Sequence, residues 1–120
     1  MNTATLEQEI TALFEQGSNA PKDVAREVFH RFRVELASGR LRAAEPEPAS
    51  PTGWRVNVWV KQGILVGFRC GDVVDMSADG GKWSFFDKDT LPMKGGLTAA
   101  SGVRIVPGAR TARSRTTVPS

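Results

Sequence analysis

The chain opens with an apolar pattern of helical period. Leu6, Ile10, Leu13 and Phe14 recur at steps that place side chains on one face of an α-helix. Thr5 with Gln8 makes a capping-box pair, and Gly17 supplies a left-handed stop. Together they predict a helix over residues 5–16. Pro21 suits the first turn of a second helix, where its missing N–H costs nothing. Val24, Val28, Phe32 and Leu36 then follow at i+4 intervals with Phe29 alongside, and Gly39 closes the pattern, predicting a helix over 21–38.

Beyond Gly39 the period changes. Residues 40–44 are compatible with a short strand, and residues 45–53 carry three prolines and a glycine and read as a loop. Trp54, Val56, Val58 and Val60 alternate with Arg55, Asn57 and Trp59. That period of two predicts a strand. The apolar run 64–68 fits a buried strand or a buried helix, and periodicity does not separate the two. Gly71-Asp72 and Asp79-Gly80-Gly81 mark turns, 83–87 read as another short strand, and from Pro92 onward the Gly- and Ala-rich chain reads as open. Val106, Ala112 and Val118 lie six residues apart. A six-residue period of small or branched apolar residues marks a left-handed parallel β-helix, although three points at that spacing also arise by chance.

Composition narrows the class. With 120 residues, 40% hydrophobic and 24% charged, the chain fits one globular domain with a usable core. The net charge of +3 is unevenly spread. Residues 1–100 sum to −1, and residues 101–120, with Arg104, Arg110, Arg113 and Arg115 and no acid, sum to +4. The basic character therefore belongs to the tail, which argues against a nucleic-acid-binding domain. The N-terminal residues show no basic stretch followed by an apolar run, so no standard signal peptide is expected, and no apolar stretch is long enough to span a bilayer. A single cysteine, Cys70, fits a reducing compartment. The expectation is a cytoplasmic protein with no membrane and no nucleic-acid partner.

Candidate chemistry is sparse. His30, the only histidine, sits among Arg26, Arg31 and Arg33, and a structural or solvated role is expected for it. Cys70 reads as a buried small hydrophobe rather than a nucleophile. Gly80-Gly81-Lys82 and Lys94-Gly95-Gly96 lack the full phosphate-loop pattern and read as turns. Trp54, Trp59, Trp83, Phe85 and Phe86 are expected in the core rather than on a base-stacking surface. Arg113 and Arg115 read as a solvated tail, and no metal-ligand cluster stands out.

Several segments resemble, in order, the N-terminal region of the tetrahydrodipicolinate N-succinyltransferases. They are Ser38-Gly39-Arg40-Leu41-Arg42-Ala43-Ala44-Glu45, Gly53-Trp54-Arg55-Val56 and Trp59-Val60-Lys61-Gln62-Gly63-Ile64-Leu65-Val66-Gly67-Phe68-Arg69. Further on come Phe86-Asp87-Lys88, Leu91-Pro92-Met93-Lys94 and Gly102-Val103-Arg104-Ile105-Val106-Pro107. Ala112-Arg113-Ser114 and Val118-Pro119-Ser120 resemble the opening coils of that family's hexapeptide-repeat helix. The likeness spans roughly residues 5–120, and its weight lies in collinearity, since no single motif is diagnostic.

The resemblance implies an α+β N-terminal domain over residues 1–103, running into the start of a truncated left-handed β-helix over 104–120. It implies a β-hairpin from about 40–45 and 54–57, and a helix over about 58–69 where local alternation says strand. Gly63 and Gly67 would weaken such a helix by about 1 kcal/mol each relative to alanine. The family's members are homotrimers that transfer succinyl from succinyl-CoA to the amine of ring-opened tetrahydrodipicolinate. Arg104 takes the position that contacts a substrate carboxylate, and Lys94 would add positive charge nearby. No cofactor is expected in this chain; succinyl-CoA is the family's co-substrate. The hexapeptide domain that supplies the CoA groove, an acidic substrate-binding residue and the trimer axis is absent. The tail also departs from the pattern: the stretch from Val106 to Ala112 looks one coil short, and Thr116-Thr117 replaces bulkier apolar positions. Residues after about 107 are therefore expected to be poorly ordered alone, and the chain inactive by itself. The alternative is a non-catalytic binding or assembly module derived from the same domain.

Overall fold

A computed structural model describes residues 3–106. Three helices form its centre: α1 (Thr3–Gln16), α2 (Lys22–Ser38) and α3 (Val58–Cys70). Two antiparallel hairpins flank them, β1 (Ala44–Pro46) with β2 (Trp54–Val56) and β3 (Val73–Asp75) with β4 (Phe86–Lys88). The architecture is thus mixed helix and small antiparallel sheet. The tail beyond Val106, with the expected β-helix start and its predicted disorder, lies outside the described residues; Arg104–Val106 are in no strand.

α1 buries Leu6, Ile10 and Leu13, as its period requires, and Phe14 packs partly against the core. It begins at Thr3, two residues before the expected start, so Thr5 lies inside the helix rather than at its cap. Gly17 takes the left-handed backbone (φ +61°) at its C-terminal end. Pro21 sits immediately before α2, and Gly39 ends that helix in the left-handed conformation, its N–H donating to the Leu36 carbonyl at 3.1 Å.

The buried face of α2 is rotated from the expected one. Ala25, Val28, Phe29 and Phe32 are buried, and Val24 is exposed. The cause lies in α3. A Cβ on Gly63 would come within 2.4 Å of the Phe32 ring, and one on Gly67 within 2.2 Å of the Phe29 ring. The two glycines open a groove along α3 into which α2 lays its phenylalanines, whose centroids are 5.8 Å apart. Their helix-weakening cost is the condition for this packing. Trp59 meets Phe32 edge-on at 6.0 Å.

The period-two pattern from Trp54 to Val60 resolves into strand and then helix. The backbone of Asn57 donates to Ala43 O at 2.8 Å, completing the hairpin, and the Val60 N–H donates to Asn57 O at 2.9 Å. The Asn57 side chain donates to Arg42 O at 2.7 Å and to Glu45 Oε2 at 2.9 Å. From there Val60, Gly63, Val66, Gly67 and Cys70 face the core at helical spacing. The helix implied by the resemblance is the one observed, and the strand expected for Val58 and Val60 from alternation alone is corrected. The first hairpin starts later than expected and takes Glu45 and Pro46 out of the expected loop. Pro46, opposite Trp54, ends a strand, where proline is tolerated.

β3 was not anticipated. It pairs Val73↔Lys88, Val74↔Asp87 and Asp75↔Phe86. The ladder continues through Met76 N–H to Phe85 O (2.7 Å) and Ala78 N–H to Trp83 O (2.9 Å). The tip is the Asp79–Gly81 turn. The strand expected over 83–87 is shifted to 86–88, with Trp83 held in a bridge to Ala78.

Candidate functional site

Arg104 follows a short turn, Ala99–Ser101. Thr98 and Ser101 cap that turn reciprocally: the Thr98 N–H donates to Ser101 Oγ at 3.0 Å, and the Ser101 N–H to Thr98 O at 2.9 Å. Gly102 then adopts φ +79°, a backbone that glycine takes at no steric cost and that redirects the chain. Arg104 emerges exposed, and among the described residues no carboxylate pairs with it. A guanidinium is able to take a carboxylate through paired charge-assisted hydrogen bonds. Lys94 is exposed as well.

The other arginines of the domain are largely committed to structure. Arg31 grips Glu9 of α1 bidentately at 2.8 and 3.0 Å and Glu27 of α2 at 2.8 and 2.9 Å. These carboxylates raise the Arg31 pKa, and the guanidinium lowers that of Glu27. Arg40 holds the buried carboxylate of Glu35 at 2.8 Å, and Arg55 pairs with Glu45 across the first hairpin. A polar cleft of about 380 Å³ lies between the α1 N-terminus, the first hairpin and Trp59. Arg40, Arg42 and Arg55 line it, but two of these guanidinium groups are already paired.

A second charged cluster was missed from the sequence. Lys22 meets Asp72 at 2.6 Å; Arg26 reaches Asp72 at 2.9 Å and Asp89 at 3.1 Å. The two aspartates are tied to each other: the Asp72 N–H donates to Asp89 Oδ1 at 3.0 Å, and the Asp89 N–H to Asp72 O at 2.8 Å. This cluster fastens the base of the β3–β4 hairpin to α2. Both carboxyls titrate below the usual range, Asp72 chiefly through Lys22, Asp89 chiefly through the Asp72 backbone and then Arg26. Thr90 adds a bond from its hydroxyl to Gly67 O at 2.7 Å, and Lys88 one to Gly71 O at 3.2 Å. No pattern in the sequence pairs residues so far apart; only the fold brings them together.

His30 is exposed, with Nδ1 3.5 Å from the Arg33 guanidinium, and among the described residues no carboxylate is hydrogen-bonded to it to orient it as a base. Cys70 is buried and borders a cavity of about 190 Å³ with Leu13, Val66, Lys22 and Arg69. Its thiol donates weakly to Gly67 O at 3.8 Å, and burial pushes its pKa up, which disfavours the nucleophilic thiolate. Gly80-Gly81-Lys82 forms the tip of the second hairpin. Among the described residues no group of three or more His, Cys, Asp or Glu is placed to hold a metal ion, and no helix is long and apolar enough to cross a membrane. Arg113 and Arg115 lie outside the described residues.

The aromatic expectation is corrected. Trp59 packs on the core, but Trp54, Trp83, Phe85 and Phe86 are exposed. The helices fill their own interior with Phe29, Phe32 and aliphatic side chains, and neither hairpin is covered on a face that would bury its aromatics.

Comparison with known proteins yields a consistent likeness. A family model described as tetrahydrodipicolinate N-succinyltransferase N-terminal matches residues 5–70. A 2,3,4,5-tetrahydropyridine-2,6-dicarboxylate N-succinyltransferase from Leptothrix cholodnii is 39% identical over 117 residues, covering 89% of this chain and 40% of that protein. A protein of the same name from Beijerinckia indica is 36% identical, covering 95% of this chain and 43% of its own length. One from Delftia acidovorans is 41% identical over 95 residues. The chain spans about two-fifths of the length of the first two relatives.

Proposed function

As the chain belongs to the tetrahydrodipicolinate N-succinyltransferase N-terminal family, we propose that it is the N-terminal portion of such an acyltransferase and holds the acceptor substrate through Arg104. The observation that carries this reading is the likeness along nearly the whole chain to the N-terminal part of relatives that bear that name. In the reaction, the acceptor amine attacks the thioester carbonyl of succinyl-CoA. A C–N bond forms, the C–S bond breaks, CoA leaves as thiol, and the amine gives up a proton. Arg104 would grip a carboxylate of the dicarboxylate acceptor in a fork of N–H donors, and so fix the amine's approach and lower the entropic part of the barrier. The exposed, unpaired state of Arg104 supports this role.

In this reading residues 1–103 form the α+β domain and 104–120 enter a hexapeptide-repeat helix. The CoA groove and the homotrimer axis belong to the remaining length of the family. The 120 residues are then inactive alone, in the cytoplasm, where an unpaired Cys70 stays reduced. The test is a chimera in which this chain replaces the matching part of the Leptothrix cholodnii enzyme, with CoA thiol release as the readout. Arg104→Ala should raise KM for the dicarboxylate by about 10- to 100-fold, the loss of a hydrogen-bonded charge pair, and Arg104→Lys should restore part of it. An unchanged KM would refute the assignment.

One observation favours a second reading, a non-catalytic binding or assembly module built on the same domain. The apolar side chains after Cys70 are left largely in solvent.

A further inference from the structure

Every fully buried hydrophobic residue among those described lies at or before Cys70. Beyond it, among the described residues, Leu91 packs partly against the core and Met76 is half-buried, while the other large apolar side chains stand out. On the hairpin, Val73 and Phe86 share one face, since Phe86 pairs with Asp75, two residues from Val73. Phe86 is 64% exposed. Val74 and Phe85 are on the opposite face and are exposed too. The segment that follows exposes Met93, Leu97, Val103, Ile105 and Val106, with Ile105 at 71%. A two-stranded hairpin is marginal in water, and one face of an antiparallel ribbon is normally covered. Here neither is, and the ribbon is fastened to the helices mainly by the polar cluster at its base.

The position of this surface points to its cover. The family model ends at residue 70, before the hairpin. The likeness to the relatives continues over 89% and 95% of the chain and takes in the hairpin region, yet accounts for only 40% and 43% of the relatives. The exposed apolar region therefore lies where the shared N-terminal portion meets the remaining three-fifths. We infer that Val73 and Phe86, on one face of the hairpin, and Ile105, in the exposed segment beyond it, dock on that C-terminal portion, and that this chain binds it when it is presented by a full-length succinyltransferase. The inference rests on family membership and on the assembly reading, not on the role of Arg104.

The experiment uses this whole chain with a photo-cross-linking residue at position 86 or 105, mixed in excess with the full-length Leptothrix cholodnii enzyme. A control carries the same group at Val34, exposed on α2. Cross-links from 86 and 105, but not from 34, to peptides of the relative's C-terminal three-fifths are expected. The Phe86→Ser/Ile105→Ser variant should bind the enzyme about tenfold or more weakly, as for truncation of apolar anchors, with its helical circular dichroism unchanged. Cross-links to a second copy of this chain, to the relative's own N-terminal part, or to nothing would overturn the inference. So would undiminished binding by the double variant. Arg104→Ala should bind as the parent does, so failure of the substrate assignment is read separately, in KM.

Discussion

The helical unit and the second hairpin obey different physics within one short chain. The helices bury Leu6, Ile10, Phe32 and Val60 completely, and their contact is shaped by two glycines under two phenylalanine rings. The hairpin buries almost nothing and is attached by Lys22, Arg26, Asp72 and Asp89. Apolar burial is insensitive to pH and gains about 25 cal/mol per Å² removed from water. A half-exposed ion cluster is screened by solvent and titrates. The difference teaches that local stability need not be shared across a domain this small: the helices can persist while the hairpin opens.

The largest expected break in that contrast is Phe32→Ala. The side chain is fully buried between α2 and α3, so truncation removes its transfer energy and leaves a cavity, at a cost of about 3–5 kcal/mol. Against a total stability of about 5–15 kcal/mol this should melt the whole described fold, hairpin included. Thermal unfolding followed by far-ultraviolet circular dichroism measures it, and a small shift would mean the core is not where the buried residues put it. Gly67→Ala comes next. On helix propensity alone it should stabilise α3 by about 1 kcal/mol. The new methyl would meet the buried Phe29 ring at 2.2 Å, so overpacking reverses the sign, and a net loss of about 1–3 kcal/mol is expected. A rise in melting temperature would show that the rings can move aside.

The same contrast separates what was legible in the sequence. α1 and α2 were readable because one apolar face each repeats at helical spacing, ended by Gly17 and Gly39. α3 was not readable from period alone: Val56, Val58 and Val60 alternate as a strand would, and the switch depends on Asn57 binding Ala43 and Arg42, residues brought near only by the first hairpin. Family resemblance supplied what periodicity lacked. The aromatics failed for a related reason. Trp54, Trp83 and Phe86 look like core by residue type, but residue type carries no information on whether another element covers them. Arg104 was singled out by resemblance alone. Nothing in its own neighbourhood, a glycine turn followed by exposed apolar residues, distinguishes it from a solvated loop arginine.

The smallest effect, and the sharpest test of the contrast, is acid. Asp72 and Asp89 have folded-state pKa values below the ordinary aspartate value near 3.9. Their contribution is therefore complete above about pH 4 and is lost as pH falls through the lowered folded values. The helical unit also holds depressed carboxyls, Glu27 beside Arg31 and Glu35 beside Arg40, but its apolar core does not titrate. Amide resonances of β3 and β4 should thus move toward random-coil positions below pH 4 while those of α1–α3 hold. In Arg26→Ala the hairpin loses its bridge to both aspartates, and its transition should move to higher pH, toward 3.9. If hairpin and helices instead unfold together in both proteins, the two regions are one cooperative unit, and the ion cluster only decorates a ribbon held by Thr90, Leu91 and the ladder itself.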